Sequence, residues 1–580
     1  MKRIIYLLYI LSIYSSFGVY AAPLENIPIK ILQPDGTEIW CYTSGDEFYH
    51  WIHDKDGNII IKDTISNYYC YRMVKTDSLV VVQNNQMPPH ALYEKFSQDF
   101  NKEHEKNVKM YNLTKNIPYT FVPSRSESPR TINNLVIYIR FADQNEFSME
   151  TISTICTRHN DPTTNANSMK QYYWESSYHQ LIVNTSFFPN ETSVYSYQDI
   201  YPRAYYCPYS NTNPIGYSTN GNARKYREDS LLVRAIASIE SQIPTTLDID
   251  TDNDGRVDNI CFIIKGGTTS WNTLLWPHMW SLLQNKVING KRVYNYNLQL
   301  SDYIISHGVG VLCHEFGHTL GAPDLYHYQT DSTGYTWKPV GRWDIMASNG
   351  VYPQQTSGYI KYKYFHWINT IPEISQSGRY SLFPIASSNQ CYKINMGGST
   401  TEFLYLEYRN INHPYEQYIP NSGLVISRIN PFKRGNSDAL NGGGKEDEVY
   451  VYRPNGTFTN DGNINNAPFC VELNQTAFNP TTNPNEFLSH GEMGNIYISN
   501  ISECDSTISF NIKICSTNDV TYDDTSIIPP YTNAETITTS GNIIINNDST
   551  IFEASESVTL NGGFIVPSGK SFTAEVKTCE

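Results

Sequence analysis

The apolar positions of this chain follow two periods. From Val309 to Leu320 they fall at Val309, Val311, Leu312, Cys313, Phe316 and Leu320, with no proline or turn cluster before Gly321. That pattern predicts a buried helix ending at the glycine. Elsewhere the period is closer to two. TEIWCY and NIIIK flank the turn signals Pro34-Asp35-Gly36 and Asp56-Gly57, which predicts paired hairpins near the N-terminus. NNLVIYIRF (133–141) reads as a buried strand, and RYSLFPI, CYKINM, EFLYLEY, GLVISRI, VYVYR and TISFNIKI between about 375 and 515 predict an antiparallel β-sandwich. Short strand runs return in NIIINN, STIFEA, SVTLNGGFIV and SFTAEV.

These patterns divide the 580 residues into several units, because a chain of this length exceeds one core. Residues 1–21 read as an export signal: Lys2 and Arg3 precede an apolar stretch from Ile4 to Ile13, and Val19-Tyr20-Ala21 offers a cleavage site. A β-rich module spans 22–128 and closes with a charged, helix-compatible stretch and the breaking segment VPSRSESPR. A mixed α+β unit follows at 129–370, the β-sandwich at 371–515, a linker at 516–533 and a small β-module at 534–580.

Charge narrows the partners. The net charge of −15 argues against nucleic acid and offers no polybasic membrane patch, and after the N-terminus no run reaches 18 apolar residues. The expectation is a released, monomeric protein. Eleven cysteines permit disulfides in an exported chain, and the odd count leaves one thiol free, for which Cys313 is the first choice.

The candidate chemistry lies in residues 311–327, VLCHEFGHTLGAPDLYH. On a helix, His314 and His318 stand one turn apart on one face, the separation at which two imidazoles hold one metal ion. Glu315 lies beside them as a general base for a metal-activated water. Gly321 can bend the chain out of the helix so that Asp324 returns as third ligand, giving H-E-x-x-H-x-x-G-x-x-D; the distant Glu407 is the alternative third ligand. Met346, in GRWDIMA, sits where zincins with a glycine-bent helix place a methionine under the metal. Tyr326, His327 and His278 are candidates for stabilising an oxyanion. A second metal is suggested by Asp250, Asp252, Asp254, Gly255 and Asp258, the first half of a calcium loop whose twelfth position is Cys261 rather than Glu. Carboxylates this close repel unless a cation neutralises them.

HEFGHTLGAPDLY followed by GRWDIMA resembles the immune inhibitor A-like, cowrin-type metallopeptidases. SMKQYYWESSYHQL, DTDNDGRVDNICFIIKGG, LWPHMWSL and SGYIKYKYFHWI fit the same family, and the likeness runs from about residue 25 to 515. The resemblance implies a zincin catalytic domain, zinc bound by His314 and His318 with Glu315 as base, protein or peptide substrates, and a propeptide that covers the cleft until it is removed. The C-terminal strands resemble the coathanger-stack modules of exported bacterial proteins. Together these readings give a secreted zinc endopeptidase made as a zymogen, with calcium as second ion. The competing reading is a non-enzymatic adhesin or glycan-binding protein on the same scaffold, against which an intact Glu315 argues.

Overall fold

The computed structural model describes residues 24–45, 50–63, 66, 68–72, 79–82, 129–190, 194–218, 223–267, 275–328, 336–396, 399, 401–437, 447–491, 493, 496–514 and 519–576. The export signal at 1–21 lies outside the described residues, as do the helix-compatible stretch after residue 90 and most of the break at 122–130. The N-terminal module is a six-stranded antiparallel meander of β1 (Leu24–Leu32), β2 (Glu38–Gly45), β3 (His50–His53), β4 (Ile59–Lys62), β5 (Tyr69–Arg72) and β6 (Leu79–Val81). Its first hairpin turns at Gly36 (φ +85°) and its β3–β4 turn at Gly57 (φ +81°), where the left-handed backbone favours glycine. Ile39, Cys41, Ile52, Ile60 and Tyr71 fill its small core.

The central unit is built on β7 (Arg130–Arg140), β8 (Leu181–Phe188), β9 (Tyr197–Gln198), β10 (Ile260–Ile264), β11 (His278–Ile288) and β12 (Lys291–Leu300). The sheet order is β11-β12-β10-β7-β8, with β9 continuing beside β7. β12, β10, β7 and β8 run parallel, and β11 is an antiparallel edge. β10 and the Leu135–Ile139 run of β7 are unbroken apolar stretches because helices cover both faces. These helices are α1 (Met149–Asn160), α2 (Met169–Ser176), α3 (Ala223–Ile239), α4 (Ser301–His307), α5 (Gly310–Thr319) and α6 (Gly358–Lys363). Ser148, Ser168 and Ser357 cap α1, α2 and α6 by accepting from backbone N–H groups of the first turn. Side-chain alternation then sorts the faces: Phe262 packs with Leu231 and Leu232 of α3, while Cys261 and Ile263 pack with Leu312, Cys313 and Phe316 of α5.

Two antiparallel sheets follow. One is β14 (Tyr392–Asn395), β15 (Phe403–Arg409), β16 (Gly423–Ile429) and β17 (Val449–Val451); the other orders β13 (Gly378–Leu382), β19 (Ile508–Ile514) and β18 (Ile496–Ser499). Leu404, Leu406, Leu424, Ile426, Ile498 and Phe510 form the core between them. The four-stranded sheet is buried on its other side as well. Tyr405, Val425, Ile429, Val449 and Val451 belong to the same core as Phe316, Leu320 and Met346. The sandwich therefore continues the packing of the helix-bearing unit rather than standing apart from it.

The tail consists of β20 (Val520–Tyr522), β21 (Tyr531–Thr539), β22 (Ile543–Ile544), β23 (Ser549–Thr559), β24 (Phe564–Ile565) and β25 (Ser571–Val576). β20-β21-β23-β25 and β22-β24 are parallel ladders, so successive coils stack on one another. One boundary is corrected. The segment 516–533, read as a linker for its prolines and polar residues, already holds β20 and the start of β21, paired in parallel at Val520↔Ile537 and stacked with Ile528 on the Ile537–Phe552 core.

Candidate metal centre

Helix α5 is buried along its whole length. It is anchored at its C-terminal end by a polar ladder across the sheet. Thr319 Oγ1 donates to Asn259 Oδ1 (2.9 Å), Asn297 Nδ2 to Asn259 Oδ1 (2.7 Å), Asn259 Nδ2 to Asn134 Oδ1 (2.6 Å) and Asn134 Nδ2 to Thr185 Oγ1 (3.1 Å). These buried amides are costly alone and rigid when joined, so they fix the helix one residue beyond His318. Gly317 faces the methionine loop: a Cβ there would lie 2.8 Å from Met346 Sδ.

His314 Nδ1 lies 2.8 Å from Ile345 O and His318 Nδ1 2.8 Å from Ala322 O. A carbonyl only accepts, so both Nδ1 carry the proton and both Nε2 present lone pairs. The two Nε2 atoms are 3.1 Å apart, and Asp324 Oδ1 lies 3.1 Å from the first and 3.4 Å from the second. Asp324 reaches them because the chain turns at Gly321 (φ +98°). Its Oδ2 accepts from Tyr328 Oη (2.6 Å), while Oδ1 is buried without a hydrogen-bond donor. Three lone-pair donors thus converge in a fully buried space. Ligands about 2.0–2.1 Å from a tetrahedral ion sit roughly 3.3 Å apart, so the triangle fits such an ion. Without a cation the conflict is relieved by a proton. Burial lowers His314, but the Asp324 carboxylate outweighs it and raises the imidazole to about 9, whereas burial keeps His318 below its usual value.

The Glu315 carboxylate also comes within 4.8 Å of both imidazoles. Asp324 Oδ1 completes the triangle, and Glu315 stands beside it. Glu407, the alternative ligand, is engaged elsewhere: Oε1 takes Arg409 Nη1 (3.0 Å), and Oε2 takes Gly358 N (2.8 Å) and Tyr405 Oη (2.9 Å).

Of the three oxyanion candidates, His278 is corrected. It pairs with Leu298, in line with Phe262, and therefore faces α3 on the side of the sheet opposite the metal centre. There its Nε2 meets Glu228 Oε1 (2.7 Å), and its Nδ1 meets Trp276 O. His327 is buried against Asp447 (2.6 Å), and Tyr326 packs in the core shared with α3. The residues that the sequence did not single out are supports. Asp344 accepts from Met346 N (2.9 Å), Thr356 Oγ1 and Ser357 N, which shapes the loop whose Ile345 carbonyl receives His314. The short DIM turn is the one local sign of it.

The acidic loop gathers carboxylate oxygens of Asp250, Asp252 and Asp254 within 4.8 Å around the turn at Gly255 (φ +84°). Asp258 is not free for a cation on the same terms, since it accepts from Thr251 N and Oγ1 (2.8 Å), and burial pushes its carboxyl up to about 6. Counter-charges are already present. Lys291 lies 2.5 Å from Asp250, and Arg130 lies 3.5 Å from Asp252 and 3.8 Å from Asp258. The repulsion expected from the sequence is therefore partly met by the protein itself.

Residues 253–367 match the model described as "Immune inhibitor A peptidase M6, catalytic domain". That stretch is immune inhibitor A-like. It carries His314, Glu315, His318, Asp324 and Met346, and it ends before the sandwich. Among curated proteins, the chain is 28% identical over 141 residues to the pre-pro-metalloprotease PrtV of Vibrio cholerae serotype O1, covering 22% of this chain and 15% of that one. It is 31% identical over 123 residues to Immune inhibitor A of Bacillus thuringiensis subsp. alesti, covering 18% and 17%. The matched stretch thus spans under a fifth of those relatives. Among solved structures, OgpA from Akkermansia muciniphila aligns over 55% of this chain and 89% of its own at 11% identity, with a TM-score of 0.21. Metalloproteinase-II from Bacteroides fragilis aligns over 59% and 86% at 12% identity, with a TM-score of 0.20.

Proposed function

We propose that the chain is an exported zinc-dependent endopeptidase that hydrolyses peptide bonds of proteins and is made as a zymogen, with residues 22–128 as its propeptide. The observation that carries the reading is the convergence of His314 Nε2, His318 Nε2 and Asp324 Oδ1 with both Nδ1 atoms committed to carbonyls. When bound, zinc supplies Lewis acidity to a water and to the scissile carbonyl. Glu315 accepts a proton from that water and returns it to the leaving amine. Ile345 and Ala322 hold the imidazoles in the tautomer that leaves Nε2 open. The match of residues 253–367 and the metalloprotease relatives support this reading over a binding protein. Export and monomeric action belong to the same proposal. Among the described residues no helix is long and apolar enough to cross a membrane. Calcium at Asp250, Asp252 and Asp254, with Asp258 behind them, rests on the three gathered carboxylates and on Asp250 Oδ1, which is buried without a hydrogen-bond partner.

The test is zinc content and casein cleavage of the purified chain, before and after removal of the N-terminal segment, for wild type and Glu315→Gln. The variant should keep zinc and lose at least about a hundredfold in turnover, since such bases contribute 10² to 10⁴. A variant that keeps its turnover removes Glu315 from the base role, and an unprocessed chain as active as the trimmed one removes the zymogen.

A further inference from the structure

We propose that Asn436, on the connection between β16 and β17, is a positioning residue for the metal: it holds the turn that delivers Asp324. The inference rests on the zinc reading above and concerns residues outside the matched segment 253–367.

Beyond Gly321 the helix no longer holds the chain. The last helical bonds are Gly321 N to His318 O (2.9 Å) and Ala322 N to Gly317 O (3.2 Å). From there to Leu325 the backbone is tied mainly to the sandwich. Asn436 N donates to Asp324 O (2.9 Å), Asn436 Nδ2 to Leu325 O (3.1 Å) and Arg434 Nη2 to Gly321 O (3.0 Å). Leu325 N turns the other way, to Met346 O (2.9 Å), and Ala322 O receives His318 Nδ1 (2.8 Å).

Asn436 is fully buried, and its amide is used at both ends. The second Nδ2 proton goes to Val449 O (2.8 Å), and Oδ1 accepts from Glu448 N (2.9 Å) and Val449 N (3.2 Å). One side chain therefore links the ligand turn to the first residue of β17. The approach is as close as backbones allow. A Cβ on Gly435 (φ +69°) would lie 2.5 Å from Asp324 O and 2.7 Å from Pro323 Cβ, so only glycine brings Asn436 this near. Gly435 N is held in turn by the Glu448 carboxylate. Asp324 Oδ1 sits at a fixed distance from the two imidazoles only if its backbone does. The helix sets the two nitrogens, and the sandwich sets the oxygen.

The full-length chain is compared as wild type, Asn436→Ala, Arg434→Gln and Tyr452→Phe. Tyr452→Phe removes a buried hydroxyl that bonds Phe487 O (2.6 Å) inside the sandwich, remote in sequence and bonding from the ligand turn. Zinc affinity is read by chelator competition, and stability by melting of the zinc-free protein. Asn436→Ala should weaken zinc about 10- to 100-fold, the usual cost of losing a partner behind the ligands. Tyr452→Phe should lower the melting temperature yet hold zinc within about twofold, as for sites that share no partner. A merely structural Asn436 would lower both proteins' melting temperatures and move neither affinity. Zinc held within about twofold by Asn436→Ala, or weakened equally by Tyr452→Phe, overturns the proposal. Should Asn436→Ala not fold, Arg434→Gln decides: weaker zinc in a folded variant supports it and unchanged zinc overturns it. A wild type that binds no zinc removes the metal reading itself and this proposal with it, whereas zinc bound equally by all the proteins removes this proposal alone.

Discussion

The two oxygens of Asp324 have different neighbours, and that difference decides which one is open to a metal. Tyr328 donates to Oδ2, so Oδ1 is left facing the imidazoles. Tyr328→Phe should therefore weaken zinc by about tenfold or more while sparing the fold, because the ring stays in its core and the hydroxyl that holds Oδ2 is lost. Chelator competition on the purified variant checks this, and an affinity equal to wild type would show that the backbone alone aims the ligand. At this scale much was legible. Spacing placed His314 and His318 on one helix face with Glu315 beside them, and the glycine three residues on suggested Asp324's return. Tyr328 was not legible, because its reach back to Asp324 depends on a turn that exists only once Gly321 has bent the chain. Glu407 stayed open in the sequence for a related reason: nothing local shows that Arg409, Gly358 and Tyr405 engage it.

Elements were read well where their period was long and poorly where direction mattered. The apolar stripe gave α5, and the alternating runs gave the strands of the sandwich. No run records whether its neighbour lies parallel, so the antiparallel edge β11 and the wrong-facing His278 followed only from register. The asparagines of the polar ladder carry no local mark of their pairing, since their partners are distant in the sequence. Helix α1 carries a feature with a pH signature. His159 is buried against Phe187, its Nδ1 meets Ile155 O (2.8 Å), and burial lowers its pKa from 6.5 to about 4. The native state thus holds this ring neutral while the unfolded chain protonates it near 6.5. Stability from the neutral ring is fully present above pH 6.5, falls as the pH drops, and is exhausted near 4. At about 1.36 kcal/mol per unit, the loss is on the order of 3 kcal/mol. His159→Gln, which keeps a donor for Ile155 O, should flatten the denaturation midpoint over that window. Equal acid slopes in the two proteins would place the acid sensitivity elsewhere.

Across the whole molecule, the boundary near residue 370 that the apolar pattern suggested does not divide the packing. Tyr405, Val425 and Val449 of the sandwich share a core with Phe316 and Leu320 of α5, and Arg409 reaches the Trp343 carbonyl beside the methionine loop. The chain is thus joined across that boundary through apolar packing, through Arg409 and through the backbone ties around Asp324. A metal bound where these meet stabilises both sides together. Binding to the native state alone contributes about 4 kcal/mol at a thousandfold excess over the dissociation constant. For a unit of this size that amounts to a rise of about 5 °C, at roughly 1.2 °C per kcal/mol. Removing zinc with a chelator should therefore lower one shared transition for residues 129–514, followed by tryptophan fluorescence and by circular dichroism. Calcium should shift the same transition less, because Lys291 and Arg130 already neutralise the acidic loop. Two probes that separate on chelation, with the sandwich signal unmoved, would mean that the metal supports the helix-bearing unit alone and that the shared core does not couple the two.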